Sequence, residues 1–325
     1  MKVTILGTGA YGIALALMFN ENNCDITMWT KFEHEKAALK KDREHKQVLP
    51  KVKIPKAIKF TTDMAEAVKE KEIILIAVPA HAVDNIVNEL KKYYQPSQHI
   101  IIASKGIEND TCLFPYDIVI NNIKTSHIAV ISGPSFAVDI AQKVPIGLSL
   151  ATRSIETERV AKLSLQNEYL KLRTTDDFLG VSICGSIKNV IAVASGMLAG
   201  MKLPESTMAM LITESLHDIK ELIHALGGQK KTILSFAGFG DLLLTCTSIK
   251  SRNFRYGYML GARESQTVID EYVNNTTIEG LYTLTSIYQL VRNKNVDMPI
   301  IDLIYDIVFN QADPALLTKF LINKI

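Results

Sequence analysis

The chain has little cysteine. Cys24, Cys112, Cys184 and Cys246 are scattered through 325 residues, and no CxxC pair occurs. The seven histidines are equally dispersed, without HExxH and without a Cys/His pair at metal-ligand spacing. The sequence therefore predicts neither a disulfide framework nor a bound metal, and this cysteine usage fits a reducing cytoplasm.

An excess of one charge sign is also lacking. Lysine and arginine total 36, aspartate and glutamate total 34, and the net charge is +2. A general nucleic-acid binder needs a basic field over one face, so no such partner is predicted. The composition, 47% hydrophobic and 22% charged, is typical of a folded protein, and the length suggests about two domains.

Long charge-free runs are nearly absent. Residues 3–19 form one after Lys2 and superficially resemble a signal peptide. Gly7, Gly9 and Gly12 interrupt this run, and a polar segment follows it where a cleavage site would be needed. No other charge-free stretch reaches the roughly 18 residues of a membrane span. We therefore expect a cytoplasmic protein without a leader or a membrane helix.

Apolar runs alternate with helical patterns in the first half of the chain. Unbroken apolar strands separated by helices are typical of a parallel sheet covered on both faces. The predicted strands are 2–6, 25–29, 73–78, 99–103 and 128–132, extended by 146–151 and 169–173, and the predicted helices are 11–22 and 82–94.

After about Asp176 the extended runs disappear and long helical periodicities follow, at 177–199, 205–226, 278–292, 299–309 and 314–322. No Pro- or Ser-rich linker marks the change. We predict an α/β protein with a Rossmann-type, doubly wound dinucleotide-binding domain over residues 1–180. An all-helical domain for substrate binding and catalysis is predicted over residues 181–325.

Three glycines stand in the first strand–helix turn, Gly7-Thr8-Gly9-Ala10-Tyr11-Gly12. The pattern is weak alone, but here it follows a strand and opens a helix within a βαβ unit. Gly7 suits a tight turn, Gly9 the approach of a pyrophosphate, and Gly12 close helix–strand packing. The turn predicts dinucleotide binding, and a plain βα turn is the alternative.

The end of the second strand, Trp29-Thr30-Lys31-Phe32-Glu33, should decide between NAD and NADP. A carboxylate there binds the ribose 2′-OH of NAD, whereas a cation favours the 2′-phosphate of NADP. Lys31 is the candidate phosphate contact, and Glu33 is a poorly placed acid. This favours NADP with NAD tolerated, although a merely solvated Lys31 fits the pattern equally well.

Lys188 is the only charged residue between Phe178 and Met201. Burial of an unpaired ammonium is costly, so such a lysine must snorkel, pair or act at a site. Its neighbours at helical spacing are small (Cys184, Gly185 and Ala192, with Ser195 beyond) and leave room for a ligand. Partial burial would lower its pKa toward the range of a general acid or base. Snorkelling is the alternative.

Further segments suit an anionic ligand. Gly238–Asp241, followed by Thr245, forms a glycine-bracketed loop before a probable helix, where Asp241 is either a helix cap or the partner of a lysine. Ser251-Arg252-Asn253 combines a guanidinium with two neutral hydrogen-bonding groups and suits a phosphate, although a solvated helix start fits as well. Lys105 follows a strand at its carboxyl end, where doubly wound sheets bind ligands.

Together these motifs resemble the bacterial NAD(P)-dependent glycerol-3-phosphate dehydrogenases over essentially the whole chain. The matching segments, in order, are LGTGAYG (6–12), SKGIE (104–108), SGPSFA (132–137), GSIKNVIAVASG (185–196), GDLLLTCTS (240–248), SRNFRYG (251–257) and IEG (278–280). Their order, spacing and combined length make the resemblance specific.

The resemblance implies reduction of dihydroxyacetone phosphate to sn-glycerol 3-phosphate with NADP or NAD as cofactor, for phospholipid synthesis. It implies that Lys188 is the general acid/base and that Asp241 and Thr245 support it. The implied substrate residues are Lys105, Gly133, Ser135, Lys188, Asn189, Asp241, Ser251, Arg252 and Asn253. The implied cofactor residues are Gly7, Gly9, Ala10, Tyr11, Gly12, Lys31, Lys105, Ala137, Arg252, Thr277 and Glu279.

Two other functions stay open. A related two-domain dehydrogenase of β-hydroxyacid or 6-phosphogluconate type is opposed by the Ser-Arg-Asn cluster and by GDLLLTCTS. A non-catalytic, NADP-sensing regulator is opposed by Lys188 among its small neighbours. The expected partner is a small phosphorylated substrate, with a homodimer as one candidate assembly and neither nucleic acid nor a membrane as a partner.

Overall fold

The computed structural model describes residues 1–109 and 111–323, and these form two compact units. The first comprises Met1–Ser104 and Pro115–Phe178, and the second comprises Lys105–Phe114 and Leu179–Ile325. The segment Lys105–Phe114 thus belongs to the second unit although it lies in the first half of the chain. A single boundary near residue 180 would instead assign this segment to the first unit.

An eight-stranded sheet organises the first unit, in the order β3-β2-β1-β4-β5-β6-β7-β8. The strands are β1 (Lys2–Leu6), β2 (Asp25–Trp29), β3 (Lys59–Thr61), β4 (Ile73–Ile76), β5 (His99–Ile102), β6 (Ile128–Ser132), β7 (Ile146–Ala151) and β8 (Leu170–Thr175). The helices are α1 (Ala10–Glu21), α2 (Glu33–Asp42), α3 (Met64–Val68), α4 (Val83–Leu90), α5 (Pro115–Asn122), α6 (Ala137–Ala141) and α7 (Ile155–Leu165). The predicted doubly wound sheet is therefore present.

The sheet is parallel except where β7 runs antiparallel to β6. The sequence left the direction of this added strand undetermined, because an apolar run specifies a buried strand but not its direction. Leu6 lies opposite both Trp29 and Ile76, which brings the carboxyl ends of β1, β2 and β4 to one edge. The strand order reverses between β1 and β4, and such a switch point is where open α/β sheets bind ligands.

Several short or polar elements had no sequence prediction. Helix α2 buries only Leu39, so it lacks the apolar stripe by which a helix is recognised. Its charges suit the helix dipole instead, with Glu33 and Glu35 in the first turn and Lys40 and Lys41 in the last. Other short elements, such as β3 and α3, are three to five residues long, too short to show a period.

The second unit is helical, as predicted. Its helices are α8 (Phe178–Gly200), α9 (Glu205–Ala225), α10 (Asp241–Cys246), α11 (Arg252–Gly261), α12 (Gln266–Asn275), α13 (Glu279–Asn293), α14 (Pro299–Phe309) and α15 (Leu316–Asn323). Helix α8 is apolar on every side because it is buried on nearly every side. It is also the one helix in the described chain that is long and apolar enough to cross a membrane, and 89% of its 18-residue apolar window is buried inside the protein.

Helices α8 and α11 pack with their backbones in contact. A Cβ atom at Gly196 would lie 2.0 Å from the carbonyl oxygen of Phe254, and one at Gly257 would lie 1.9 Å from that of Val193. Ser195, on the same stretch of α8, donates a 2.7 Å hydrogen bond to the carbonyl oxygen of Cys246. Ser195 and Gly196, two of the small residues that follow Lys188 along α8, thus serve helix packing.

This close crossing predicts that Gly257→Ala destabilises the protein. The new methyl group would meet a backbone carbonyl that cannot move independently, and overpacking of this kind costs about 1–3 kcal/mol or more. Gly9→Ala is the matched control, because Gly9 has φ −64° and a Cβ there meets nothing within 4 Å. Thermal or urea melts should separate the two variants, and equal stability would contradict the crossing.

Candidate functional site

The predicted site residues fall into two groups, one in each unit. The first unit holds Gly7, Gly9, Ala10, Tyr11, Gly12, Lys31, Gly133, Ser135 and Ala137. The second holds Lys105, Lys188, Asn189, Asp241, Thr245, Ser251, Arg252, Asn253, Thr277 and Glu279.

The glycine turn after β1 is tight at both ends. Gly7 has φ +118°, and a Cβ there would lie 2.5 Å from the carbonyl oxygen of Ala77. A Cβ at Gly12 would lie 2.6 Å from the carbonyl oxygen of Gly7. Both positions therefore need glycine for the turn itself and for the packing of α1 against it.

Gly9 differs from these two, because a Cβ there would enter open space. It is the N-cap of α1, it provides no side-chain cap, and the first turn of α1 has no acidic residue. The positive end of the helix dipole and its amide groups are therefore left for an anion. These features fit the pyrophosphate of a dinucleotide.

Three predicted residues near this turn are brought together. The hydroxyl oxygens of Tyr11 and Ser135 are 3.1 Å apart, and Ser135 also donates to the carbonyl oxygen of Gly133 at 3.0 Å. Gly133 itself approaches the backbone of Gly147 so closely that a Cβ would lie 2.6 Å from its oxygen. Ala137 begins α6, which packs against α1.

The end of β2 presents an exposed lysine and a partly buried acid. Lys31 is exposed and forms no ion pair with any residue of the described ranges, and Glu33 pairs with Lys36 at 2.7 Å. Glu35, which sequence reasoning missed, accepts hydrogen bonds from Thr30 and from Nε2 of His45. The sequence signal that could have identified Glu35 was its position, because Rossmann folds carry a ribose-binding acid about twenty residues beyond the glycine turn.

In the second unit, one carboxylate holds two lysines. The carboxylate of Asp241 forms two ion pairs. Its Oδ1 lies 2.7 Å from Nζ of Lys188, and its Oδ2 lies 2.7 Å from Nζ of Lys105. Thr245 Oγ1 lies 3.1 Å from Nζ of Lys188, and Asp241 is 1% exposed. Lys188 is therefore paired and buried and does not snorkel. The contact between Lys105 and Asp241 had no sequence prediction.

The segment before α10 explains how Asp241 reaches these lysines. Residues Phe236–Gly240 form a π-helical turn, a conformation found often at functional sites. Gly238 packs so closely that a Cβ would lie 2.2 Å from the carbonyl oxygen of Ile233. The N-cap of α10 is Gly240 without a side-chain cap, so of the two alternatives for Asp241 the structure shows the ion pair.

The protonation of Lys188 is balanced by opposing effects. Burial lowers the pKa of the Lys188 ammonium, the Asp241 carboxylate opposes this change, and the positive charge of Lys105 adds to it. The net direction is a lowered pKa. A lysine in this setting gives up its proton more readily than an exposed one, and the carboxylate of Asp241 favours its reprotonation.

Two buried serines hold the segment that bears Lys105. The amide of Gly106, which has φ +121°, donates to Ser186 Oγ at 3.1 Å. Ser286 Oγ lies 2.6 Å from Oδ1 of Asn109 and 3.3 Å from the carbonyl oxygen of Ile107. Ser186 is on α8 and Ser286 on α13, so both helices fix the segment. Neither serine was predicted, because a buried serine has no distinctive pattern.

A second polar network joins α8, α11 and α13. Asn253 donates to Oδ1 of Asn189 at 3.0 Å and accepts from the amide of Gly280 at 2.8 Å. Asn189 in turn donates to Glu279 Oε2 at 3.2 Å. Three predicted residues are thus brought together, with hydrogen bonds that fix the start of α13.

The three residues of the predicted Ser-Arg-Asn cluster have different surroundings. Ser251 caps α11 by accepting from the amide of Phe254 at 3.2 Å, and Asn253 is buried in the network above. Arg252 is exposed, and its guanidinium forms no ion pair within residues 1–109 and 111–323. Thr277 is exposed and does not join either polar network among the described residues.

No group of three or more His, Cys, Asp or Glu side chains in the described part of the chain could hold a metal ion.

The chain matches two family models in succession. The N-terminal model of NAD-dependent glycerol-3-phosphate dehydrogenase covers residues 2–158, and the C-terminal model covers residues 177–319. The chain belongs to the NAD-dependent glycerol-3-phosphate dehydrogenase family.

Relatives of the family match the chain over nearly its whole length. A glycerol-3-phosphate dehydrogenase [NAD(P)+] of Staphylococcus haemolyticus is 36% identical over 95% of this chain and 93% of its own. That of Fusobacterium nucleatum is 33% identical over 97% and 94%. The crystal structure of glycerol-3-phosphate dehydrogenase from Coxiella burnetii superposes with a TM-score of 0.94, at 28% identity over 99% of both chains.

Membership of the glycerol-3-phosphate dehydrogenase family confirms the predicted fold class, the oxidoreductase class and the NAD(P) cofactor. The roles of individual side chains remain predictions.

The doubly paired Asp241 predicts a large effect on stability. Asp241→Asn leaves the buried ammonium of Lys188 and the partly buried ammonium of Lys105 without their counter-charge, and breaking a buried ion pair costs about 3–5 kcal/mol. The loss should shrink as pH rises toward the ordinary lysine pKa of 10.5, because Lys188 of the folded variant lacks Asp241 and becomes neutral at a lower pH than Lys188 of the unfolded chain. Asp313→Asn breaks the exposed pair with Arg263 and should cost less than about 1 kcal/mol. Urea denaturation at several pH values measures both, and equal losses would contradict the assignment.

Proposed function

We propose that this chain interconverts dihydroxyacetone phosphate and sn-glycerol 3-phosphate by hydride transfer with NAD(P)(H). The observation that carries the proposal is the buried cluster in which Asp241 pairs with both Lys188 and Lys105. The names of the relatives, glycerol-3-phosphate dehydrogenase [NAD(P)+], support the choice of substrate and cofactor.

Lys188 is the general acid and base in this proposal. When bound, the reduced nicotinamide supplies the hydride, and negative charge develops on the carbonyl oxygen of the ketone. The Lys188 ammonium stabilises that charge and then donates its proton to the oxygen. In the oxidative direction the neutral amine accepts the hydroxyl proton.

Asp241 and Thr245 position the proton donor. Both contact Nζ of Lys188, at 2.7 and 3.1 Å, and so fix the direction of its N–H groups. Burial alone favours a neutral amine, which could not donate, and the Asp241 carboxylate counteracts this. With Lys105 charged, two ammonium groups face the carboxylate of Asp241, with Glu279 as a second negative charge nearby, and the ammonium groups attract an anionic substrate.

Arg252 is the phosphate contact in this proposal. Its guanidinium is exposed at the first position of α11, where amide groups also favour an anion, and it suits a planar, bidentate contact. Ser251 and Asn253 use their hydrogen bonds to fix this helix start. They therefore act on the phosphate chiefly by holding Arg252 in place.

The glycine turn binds the cofactor pyrophosphate, with Gly9 at the closest approach. The contact of Ser135 with Tyr11 supports a place for Gly133, Ser135 and Ala137 beside this turn. The hydrogen bond from Asn189 fixes Glu279, the proposed residue at the nicotinamide side. Thr277 stays in the proposal on the family resemblance alone.

The proposal also includes supply of glycerol 3-phosphate for phospholipid synthesis in the cytoplasm. The metabolic role and the location are supported by the family alone. A homodimer has the same support, and light scattering on the purified protein would test it.

The direct test compares two ketones. The protein should oxidise reduced nicotinamide cofactor with dihydroxyacetone phosphate and respond poorly to unphosphorylated dihydroxyacetone, since the ketone without phosphate has no anion for Arg252. Initial rates at 340 nm measure both. Equal efficiency with both ketones would refute the phosphate contact, and no turnover with either would refute the function.

Two variants separate the chemistry from phosphate binding. Lys188→Met removes the transferable proton, so kcat should fall by about 10²–10⁴, with cofactor affinity little changed. Arg252→Ala removes a charge-assisted contact to a non-reacting group, so KM for the phosphorylated ketone should rise roughly 10- to 100-fold with a smaller change in kcat. Thermal melts check that both variants fold. A near-normal kcat in folded Lys188→Met would exclude its catalytic role.

A further inference from the structure

The mechanism above makes no use of Glu35, a partly buried carboxylate at the edge of the sheet. Thr30, directly after β2, donates to it, and so does Thr8 from the glycine turn after β1. Nε2 of His45 lies 3.0 Å from Oε1 of Glu35. The carboxylate is thus tied to the carboxyl ends of both β1 and β2.

Glu35 is ionised at neutral pH. Burial raises the pKa of its carboxyl, but hydrogen bonds from His45, Thr30 and Thr8 outweigh this effect and lower the pKa to about 2. The other charges on this stretch contribute less, because Glu33 and Lys36 pair with each other and Lys31 is exposed. A fixed negative charge therefore stands at the end of β2 whenever the imidazole of His45, its ion-pair partner, is neutral.

This edge is where a Rossmann fold places the adenosine ribose of its cofactor, and a carboxylate there suits a free 2′-OH. We propose that Glu35 biases this chain toward NAD(H) over NADP(H), because its fixed negative charge repels a 2′-phosphate. The inference rests on the proposed function only in requiring that the glycine turn binds a dinucleotide.

Lys31 favours the opposite preference, and the two side chains differ in how strongly they act. An exposed lysine is mobile, and salt and water screen its charge. The Glu35 side chain is 21% exposed and is held by three hydrogen bonds, so its charge is localised and less screened. The carboxylate therefore outweighs the lysine.

Binding of NADH and of NADPH, measured by fluorescence titration at fixed pH and ionic strength, tests the inference without turnover. The unaltered protein should bind NADH more tightly. Glu35→Gln should lower the NADPH-to-NADH ratio of Kd values by roughly tenfold, chiefly through tighter NADPH binding. Glu33→Gln is the matched control, because it removes an exposed, paired carboxylate two residues away, and it should leave the ratio unchanged.

Salt dependence gives a second test that needs no variant. If Glu35 repels the 2′-phosphate, added NaCl should weaken NADPH binding less than NADH binding, whereas attraction by Lys31 predicts the reverse. This measurement decides the question if Glu35→Gln fails to fold. An unchanged Kd ratio in folded Glu35→Gln, or a preference for NADPH that Lys31→Met abolishes, would overturn the inference.

A glycine-turn variant separates this inference from the proposed function. Gly9→Val should lose both cofactors alike, because its side chain occupies the space for the pyrophosphate. If the unaltered protein bound neither cofactor, the proposed function would fail, and the bias by Glu35 would fail with it. Binding of both cofactors with no effect of Glu35→Gln would refute the bias alone.

Discussion

The second unit is organised around one electrostatic constraint, the buried carboxylate of Asp241 between the ammonium groups of Lys188 and Lys105. Burial of any of these charges alone would cost several kcal/mol, so each is tolerated only while its partners stay in place. The three residues come from α10, α8 and the segment Lys105–Phe114. Three parts of the chain must therefore be fixed to within hydrogen-bonding distance, and the π-helical turn, Ser186 and the glycine contacts of α8 meet this requirement.

In the proposed function, the two units recognise anions by different physical means. In the first, the glycine turn offers backbone amides and the end of a helix dipole, so glycines matter there because they lack side chains. In the second, charged side chains do the work, and their position depends on packing and hydrogen bonds. A backbone site tolerates changes in neighbouring side chains, whereas the cluster around Asp241 depends on each of its members. This difference suits a cofactor that binds through phosphates and a substrate that must be protonated at one atom.

Hydrophobic periodicity and motif order predicted most of the strands and long helices, but they carry no information on strand direction or on contacts between distant residues. Unbroken apolar runs located β4, β5 and β6, and the lone charge on α8 singled out Lys188. Strand direction at β7 was missed because hydropathy carries no direction. The pairing of Lys105 with Asp241 was missed because these residues are far apart in sequence, and only the fold brings them together. The hydrogen bonds of Ser251 with Phe254 and of Asn253 with Asn189 had no sequence prediction, because they exist only once the chain has folded.

Lys31, Lys188 and Glu35 differ in how strongly their charges act on their surroundings. Both lysines stand out in the sequence, one after a strand and one within an apolar helix. Lys188 is buried against a carboxylate, which fixes the position of its charge, whereas Lys31 is in solvent and its charge is screened. Glu35 lies in a polar helix start, where it stands out less than either lysine, yet three hydrogen bonds fix its charge beside the glycine turn. The strength of each charge thus depends on the groups that hold it and on the water around it.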